Sequence, residues 1–99
     1  MVAKPFVIDT RAFAKKGDAV AYFREMLNRY RPGDLVSEPD TLDLKALLKH
    51  HTEHRAKVGV GIGHIRIMKN LHNTQCFEIV RHDGTTDDFS YLHCITPRH

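Results

Sequence analysis

The apolar positions change period along the chain, and each change predicts an element. Lys4 to Ile8 is short and apolar, which predicts a first strand. Asp18 can cap a helix with its carboxylate, and Ala19, Phe23, Met26, Leu27 and Tyr30 then recur at helical spacing. Arg31-Pro32-Gly33 ends that helix, because proline cannot donate to the ladder and glycine tolerates the turn. Glu38-Pro39-Asp40 starts a second helix, whose apolar face of Leu42, Leu44, Leu47 and Leu48 runs to about His50.

After His54 the period becomes two. Val58, Val60 and Ile62 alternate with Gly59, Gly61 and Gly63, then Ile65 and Ile67 alternate on the opposite parity. The parity switch predicts a turn or bulge near Gly61–Gly63 and a strand over Ile65–Lys69. Leu71-His72-Asn73 reads as a turn, and Thr74–Arg81 as a strand with Phe77 and Ile79 on one side. His82-Asp83-Gly84-Thr85 is a hairpin signal, and Asp88–Ile95 reads as the last strand. A three-residue loop that sets Phe77 opposite Tyr91 and Ile79 opposite Phe89 keeps apolar residues together. The expected fold is α+β, in the order β-α-α-β-β-β, with two helices packed on one face of an antiparallel sheet. Residues 1–99 read as one domain.

Composition narrows the class. Apolar residues make up 41% and charged residues 27%, as in an ordinary globular protein. Cys76 and Cys94 are too few for a disulfide framework and read as reduced thiols in the sheet. The N-terminus carries no secretory pattern and no apolar run spans a bilayer, so a cytoplasmic protein without a membrane partner is expected. The net charge is +3, but it is unevenly spread. Residues 1–43 carry seven basic and seven acidic side chains, residues 44–81 seven basic and two acidic, and residues 82–99 one basic and three acidic. Five of the eight histidines also fall in residues 44–81. The basic middle suggests an anionic partner.

By the second half of the chain the residues form a recognisable set. Leu47-Leu48-Lys49-His50-His51 is followed by Lys57-Val58-Gly59-Val60-Gly61-Ile62, Cys76-Phe77, Arg81-His82-Asp83-Gly84, Asp88-Phe89-Ser90-Tyr91 and Cys94. Phe23, Leu27, Tyr30 and Gly33 fit upstream. This ordered set, from about Phe6 to Ile95, resembles the DCL (defective chloroplasts and leaves) domain family, which includes small bacterial stand-alone members. The resemblance implies a role near RNA. Plastid members are linked to ribosomal RNA processing and ribosome assembly, relatives form tails on plant-specific RNA polymerase subunits, and some bacterial ones accompany nuclease domains. It supplies no catalytic residue.

Several patterns mimic chemistry. His50-His51-Thr52-Glu53-His54 reads H-x-x-E-H, a zinc-hydrolase spacing, but the third ligand would have to come from a downstream helix where only strands are expected. Histidines near a helix C-terminus also favour its dipole. Cys76 and Cys94 with a histidine would make a structural zinc site only if a finger-like spacing were present, and none is. Gly59-Val60-Gly61-Ile62-Gly63 beside Lys57 could contact phosphate, yet a strand follows where a phosphate cradle needs a helix. Tight backbone approach is the plainer purpose of these glycines. Asp40 and Asp43 near Lys45 mimic a nuclease signature at the wrong spacing, and Asp83, Asp87 and Asp88 read as turn chemistry before a Mg²⁺ site.

The expectation is therefore a non-enzymatic RNA- or nucleic-acid-binding domain with no cofactor and no metal. Lys49, Arg55, Lys57, His64, Arg66, Lys69 and Arg81 are the candidate contacts, with His64, Arg66 and Met68 on the sheet face opposite Ile65 and Ile67. Tyr91 and Phe77 would stack on bases only if exposed, and their core-facing parity argues for packing. The alternative is a protein-interaction module using a sheet edge or the bare sheet face, with a protein partner in place of RNA. A zinc-dependent hydrolase using His50, Glu53 and His54 is the remote third reading.

Overall fold

The computed structural model describes residues 5–96. The first strand, β1 (Phe6–Ile8), does not join the main sheet. It folds back across Asp9-Thr10 onto β2 (Arg11–Phe13) as a separate antiparallel pair, with Ile8 opposite Arg11. The expected start at Lys4 lies outside the described residues. Helix α1 (Lys16–Asn28) buries Ala19, Phe23, Met26 and Leu27, as their spacing predicts. Lys15, not Asp18, holds its N-cap position, and Asp18 sits in the first turn, where a carboxylate still favours the helix dipole.

Helix α2 (Glu38–Leu48) begins where the sequence places it. Ser37 caps it by accepting a hydrogen bond from the Asp40 N–H, and Pro39 fits the first turn. Leu44, Leu47 and Leu48 are buried, whereas Leu42 is exposed and Asp43 takes an inward position instead. Tyr22 donates to Asp43 Oδ2 at 2.6 Å, and Arg11 Nη2 lies 3.2 Å from the same oxygen with its guanidinium 4.4 Å from the Tyr22 ring centroid. Burial alone would raise the Asp43 carboxyl, but hydrogen bonds from Thr10, Tyr22 and Arg11 outweigh it and hold the group below its ordinary value. The Tyr22 hydroxyl, desolvated and bonded to that carboxylate, is pushed up to about 12. This cluster ties the β1–β2 pair to both helices.

The period-two reading after His54 is corrected at its start. His54–Val58 is a short helix, α3, so Val58 ends a helix rather than opening a strand. Gly59 then turns the chain at φ 53°. The expected bulge is present: the β3–β4 pairing shifts register between Ile62 and His64. Strand β3 (Ile62–Lys69) pairs with β4 (Gln75–Arg81), which pairs with β5 (Thr86–Phe89), giving an antiparallel sheet in the order β3-β4-β5.

The last strand is shorter than the sequence reading. Phe77 sits opposite Phe89 and Ile79 opposite Asp87, and the Arg81 N–H donates to Thr85 O. The loop is still three residues long, but it turns one residue earlier, at His82–Gly84, with Gly84 at φ 85°. After Phe89 the chain leaves the sheet. Ser90 caps a helix, α4 (Tyr91–Ile95), by accepting from the His93 N–H, so Tyr91 and Cys94 lie on a helix and not on a strand.

One apolar layer joins these parts. Phe23 and Met26 from α1 and Leu44, Leu47 and Leu48 from α2 meet Ile65, Ile67, Phe77, Ile79 and Phe89 from the sheet, with Cys94 and Ile95 of α4 closing one end. Each fully buried side chain of this kind is worth about 1.5–3 kcal/mol. The fold class is α+β, as expected. No helix among the described residues is long and apolar enough to cross a membrane.

Candidate functional site

The basic middle of the chain folds largely onto its own carboxylates. Four of the seven candidate cations are in internal ion pairs: Lys49 with Asp9, Lys57 and Arg81 with Asp87, and Arg66 with Glu78. Lys57 and Arg81 are the most engaged, at 14% and 12% exposure. Arg81 donates from Nε to Lys57 O at 3.0 Å and from Nη2 to Ala56 O at 3.1 Å, which satisfies carbonyls at the end of α3. It also reaches Thr85 Oγ1 and Asp87 Oδ2. Lys57 donates to Asp87 Oδ1 and, at 2.7 Å, to the main-chain oxygen of Asp88 on the outer edge of β5. These two cations clamp α3 to the β4–β5 hairpin.

The glycines are the floor of this clamp. A Cβ at Gly59 would lie 2.9 Å from Arg81 Nε, and one at Gly61, where φ is 111°, would lie 2.7 Å from the His82 ring. Arg81 and His82 therefore lie flat on the backbone, where a phosphate would otherwise approach. The close-approach reading holds, and the glycine loop is roofed by side chains.

The sheet face is not a basic surface. His64, Arg66 and Met68 do point away from the buried Ile65 and Ile67, as expected. Beside them stand Glu78, bound to Arg66, and Asp88 opposite Glu78. Within residues 44–81, the basic side chains without an ion pair among the described residues are Arg55 and Lys69 from the candidate set and Lys45 on α2; these three and the candidate His64 are exposed.

The metal-like patterns are drawn apart. Helix α2 ends at Leu48 and His54 opens α3, so His50 and His54 share no helical face. His50 packs instead on Phe6, with ring centroids 4.9 Å apart. Cys94 is buried, its thiol pushed up to about 12 by burial, while Cys76 stands on β4; both are free. Asp83 accepts from Thr85 N–H and Oγ1, which is turn chemistry. Asp40 accepts from Tyr30 and Arg29.

What the sequence does not foresee is a cleft of about 640 Å³ at one end of the sheet. It gathers His51 and Glu53 from the α2–α3 link, Asn70 from the β3–β4 turn, and Asp88, Tyr91 and His93 from the β5–α4 joint. Two groups of the clamp and rim meet here, since Lys57 also lines it. His51 is buried and stacks on His93 at 4.5 Å between centroids. His93 Nε2 is 2.8 Å from Thr52 Oγ1, and the His51 Nδ1 accepts from the Glu53 N–H at 2.9 Å. Burial first, then His93 and Lys57, lower the pKa of His51, and because Nδ1 accepts from the Glu53 N–H the neutral ring carries its proton on Nε2. Glu53 and Asp88 have no cation partner among the described residues, and both are exposed. The signal that could have revealed this cleft is Ser90, a helix cap before Tyr91-Leu92-His93; reading it as a strand residue hid the joint.

Comparison with known proteins agrees with the architecture. The solution NMR structure of an uncharacterized protein from Rhodospirillum rubrum superposes with a TM-score of 0.87 at 43% identity, covering 93% of this chain and 88% of that one. Protein DCL, chloroplastic, of Solanum lycopersicum is 39% identical over 82 residues, which span 77% of this chain and 36% of that protein. DNA-directed RNA polymerase IV subunit 1 of Arabidopsis thaliana is 38% identical over 73 residues, 73% of this chain and 5% of the subunit. The chain thus corresponds to a minor part of these two plant relatives. Residues 24–95 match the family described as Protein of unknown function (DUF3223), and the chain belongs to that family, whose DCL relatives are those the sequence itself resembles.

Proposed function

We propose that this domain is a non-enzymatic accessory module that contacts RNA through a few exposed cations bordering the cleft. The observation that carries this reading is the position of Arg55 and Lys69. Both are exposed and free of ion pairs among the described residues. Arg55 stands two residues after Glu53 and Lys69 directly before Asn70, and both Glu53 and Asn70 line the cleft. These two exposed cations therefore adjoin cleft-lining residues along the chain, while Lys57 and Arg81 are spent on the fold. The relatives support the setting: one is by name a subunit of a DNA-directed RNA polymerase, in which the matched stretch is 5% of the chain, the scale of an appended module. Assistance to ribosomal RNA processing or ribosome assembly is the finer form of this reading, drawn from the DCL resemblance.

Two or three phosphate contacts fix the expected strength. Each contact on a single strand contributes a slope of about −0.7 in log K against log salt, so the total should be about −1.5 to −2. Titration of labelled single-stranded RNA at ~50 mM and higher salt tests this. Arg55→Ala combined with Lys69→Ala should flatten the slope and leave the unfolding midpoint unchanged. No binding at ~50 mM salt sinks the proposal.

A second reading, a protein-docking module, has its own observation. Leu35 pairs with Arg66 along the outer edge of β3, flanked by bonds from Val36 N–H to Ile65 O and from Ile67 N–H to Asp34 O. That geometry turns the main-chain groups of Leu35 outward, and its side chain is exposed, as is Leu42 on α2. Retention of one protein partner from lysate after nuclease treatment, lost on Leu35→Asp, would favour this reading over RNA.

A further inference from the structure

We propose that the cleft at the β5–α4 joint is a nucleobase site, and that it selects a base presenting adjacent N–H donors, as guanine does. The inference rests on the RNA reading above and deepens it by naming what enters the cleft.

The unpaired groups of the cleft decide the ligand. Glu53 lines the cleft as a carboxylate without a cation partner among the described residues, and the lysine lining the cleft, Lys57, is bound to Asp87 and to Asp88 O, while the Asp88 carboxylate stands on the other sheet face opposite Glu78. An opening with a free carboxylate repels phosphate and accepts hydrogen bonds from N–H groups. A carboxylate also matches two neighbouring donors on one ring edge, which the N1–H and exocyclic amine of guanine supply and uracil does not.

A second, independent group points the same way. His51 lines the cleft and is only 9% exposed. Its Nδ1 is taken by the Glu53 N–H, so Nε2 carries the proton, and Nε2 has no hydrogen-bond partner among the described residues. None of the described side-chain polar atoms is both sealed and unpartnered, so this N–H keeps its opening, and the space that His51 lines is the cleft. One donor and one carboxylate thus line the same cleft, with Tyr91, half-buried and edge-on to Phe77, as an apolar wall. That mixture fits a planar heterocycle with both kinds of edge atom better than it fits a phosphate or an alkyl chain. Its volume of about 640 Å³ admits a nucleoside. The sugar–phosphate would remain outside, toward Arg55 and Lys69.

The test uses the full chain and heptamers of uridine in which the central nucleotide is G, A, C or U. A good bidentate base contact discriminates by about 1–3 kcal/mol, so the G-containing heptamer should bind roughly 5–150-fold tighter than the all-uridine one. Glu53→Gln, at an exposed rim position, should remove that preference, so that the G-containing and all-uridine heptamers bind alike. Guanosine monophosphate should shift the NMR amide signals of Ser90 to His93, and cytidine monophosphate should not. Equal affinity for all four heptamers overturns the base site and leaves the RNA reading standing. Failure of every heptamer to bind, with no shift from guanosine monophosphate, overturns both. Retention of the G preference in Glu53→Gln overturns the role of the carboxylate and with it this proposal.

Discussion

Two neighbouring regions use the same residue types to opposite ends. In the clamp, Arg81 and Lys57 share Asp87, each is mostly withdrawn from water, and Arg81 also satisfies the carbonyls of Ala56 and Lys57. Glu53 and Asp88, which line the cleft, and Arg55 and Lys69, near its lining residues in the chain, are exposed and have no oppositely charged partner among the described residues. Charge in the first region is structure, because breaking a half-buried pair leaves a poorly compensated ion at a cost of about 3 kcal/mol. Charge in the second contributes little to stability and is available to a ligand. A count of lysines and arginines along the chain cannot separate the two, since the difference lies in where the carboxylates arrive from.

The largest expected effect breaks the clamp. Arg81→Ala removes four hydrogen bonds and half the compensation of Asp87, and leaves the end of α3 uncapped. A loss of about 3 kcal/mol is expected, a fall in Tm on the order of 15 °C for a domain of this size. Arg55→Ala should shift Tm by no more than about 2 °C. Urea and thermal unfolding of the two variants would check the contrast; equal losses would mean the clamp and the rim are not different in kind.

The next effect addresses the glycine floor. Gly61→Ala meets a backbone at φ 111° and a His82 ring atom 2.7 Å from the new Cβ. The strained dihedral and the displaced ring together should cost about 1–3 kcal/mol. Pairing it with His82→Ala should recover the steric part and not the dihedral part, so the double variant should lie between the native chain and Gly61→Ala. If the double variant is no more stable than the single one, the ring is not what the glycine accommodates.

How much of this was legible in the sequence follows from the range of the forces involved. The two long helices and the strands of the main sheet were readable because period and caps are local: Leu44, Leu47 and Leu48, or Phe77 and Ile79, announce a face without reference to anything distant. Short elements were not. Val58, Val60 and Ile62 alternate like a strand, yet α3 forms there because Arg81, more than twenty residues on, caps it. The final strand ended early because Ser90 offered a helix cap, a signal present but outvoted by the alternation of Phe89 and Tyr91. The candidate contacts suffered most. Lys49, Lys57, Arg66 and Arg81 are neutralised by Asp9, Asp87 and Glu78, and of these only Glu78 lies within the basic stretch.

The smallest effect concerns the point where clamp and cleft touch. His51 faces its stacking partner His93 on α4, Lys57 on α3, and two carboxylates, Glu53 and Asp87. Burial first, then His93 and Lys57, outweigh the carboxylates and hold its pKa below the ordinary 6.5. A histidine depressed in the folded state binds its proton more readily when unfolded. Its contribution to stability is therefore complete above pH 6.5 and is lost as pH falls toward the folded value. Urea unfolding between pH 7.5 and 5.0 should show stability declining on the acid side. His51→Gln keeps an acceptor for the Glu53 N–H and removes the titration, so its profile should be flatter over that window. Since protonation would also place a second positive charge against Lys57, the acid decline should shrink further in Lys57→Met, once its own loss of stability at pH 7.5 is subtracted. If His51→Gln keeps the native slope, the acid response belongs to other groups, and the cleft and the clamp are electrostatically independent.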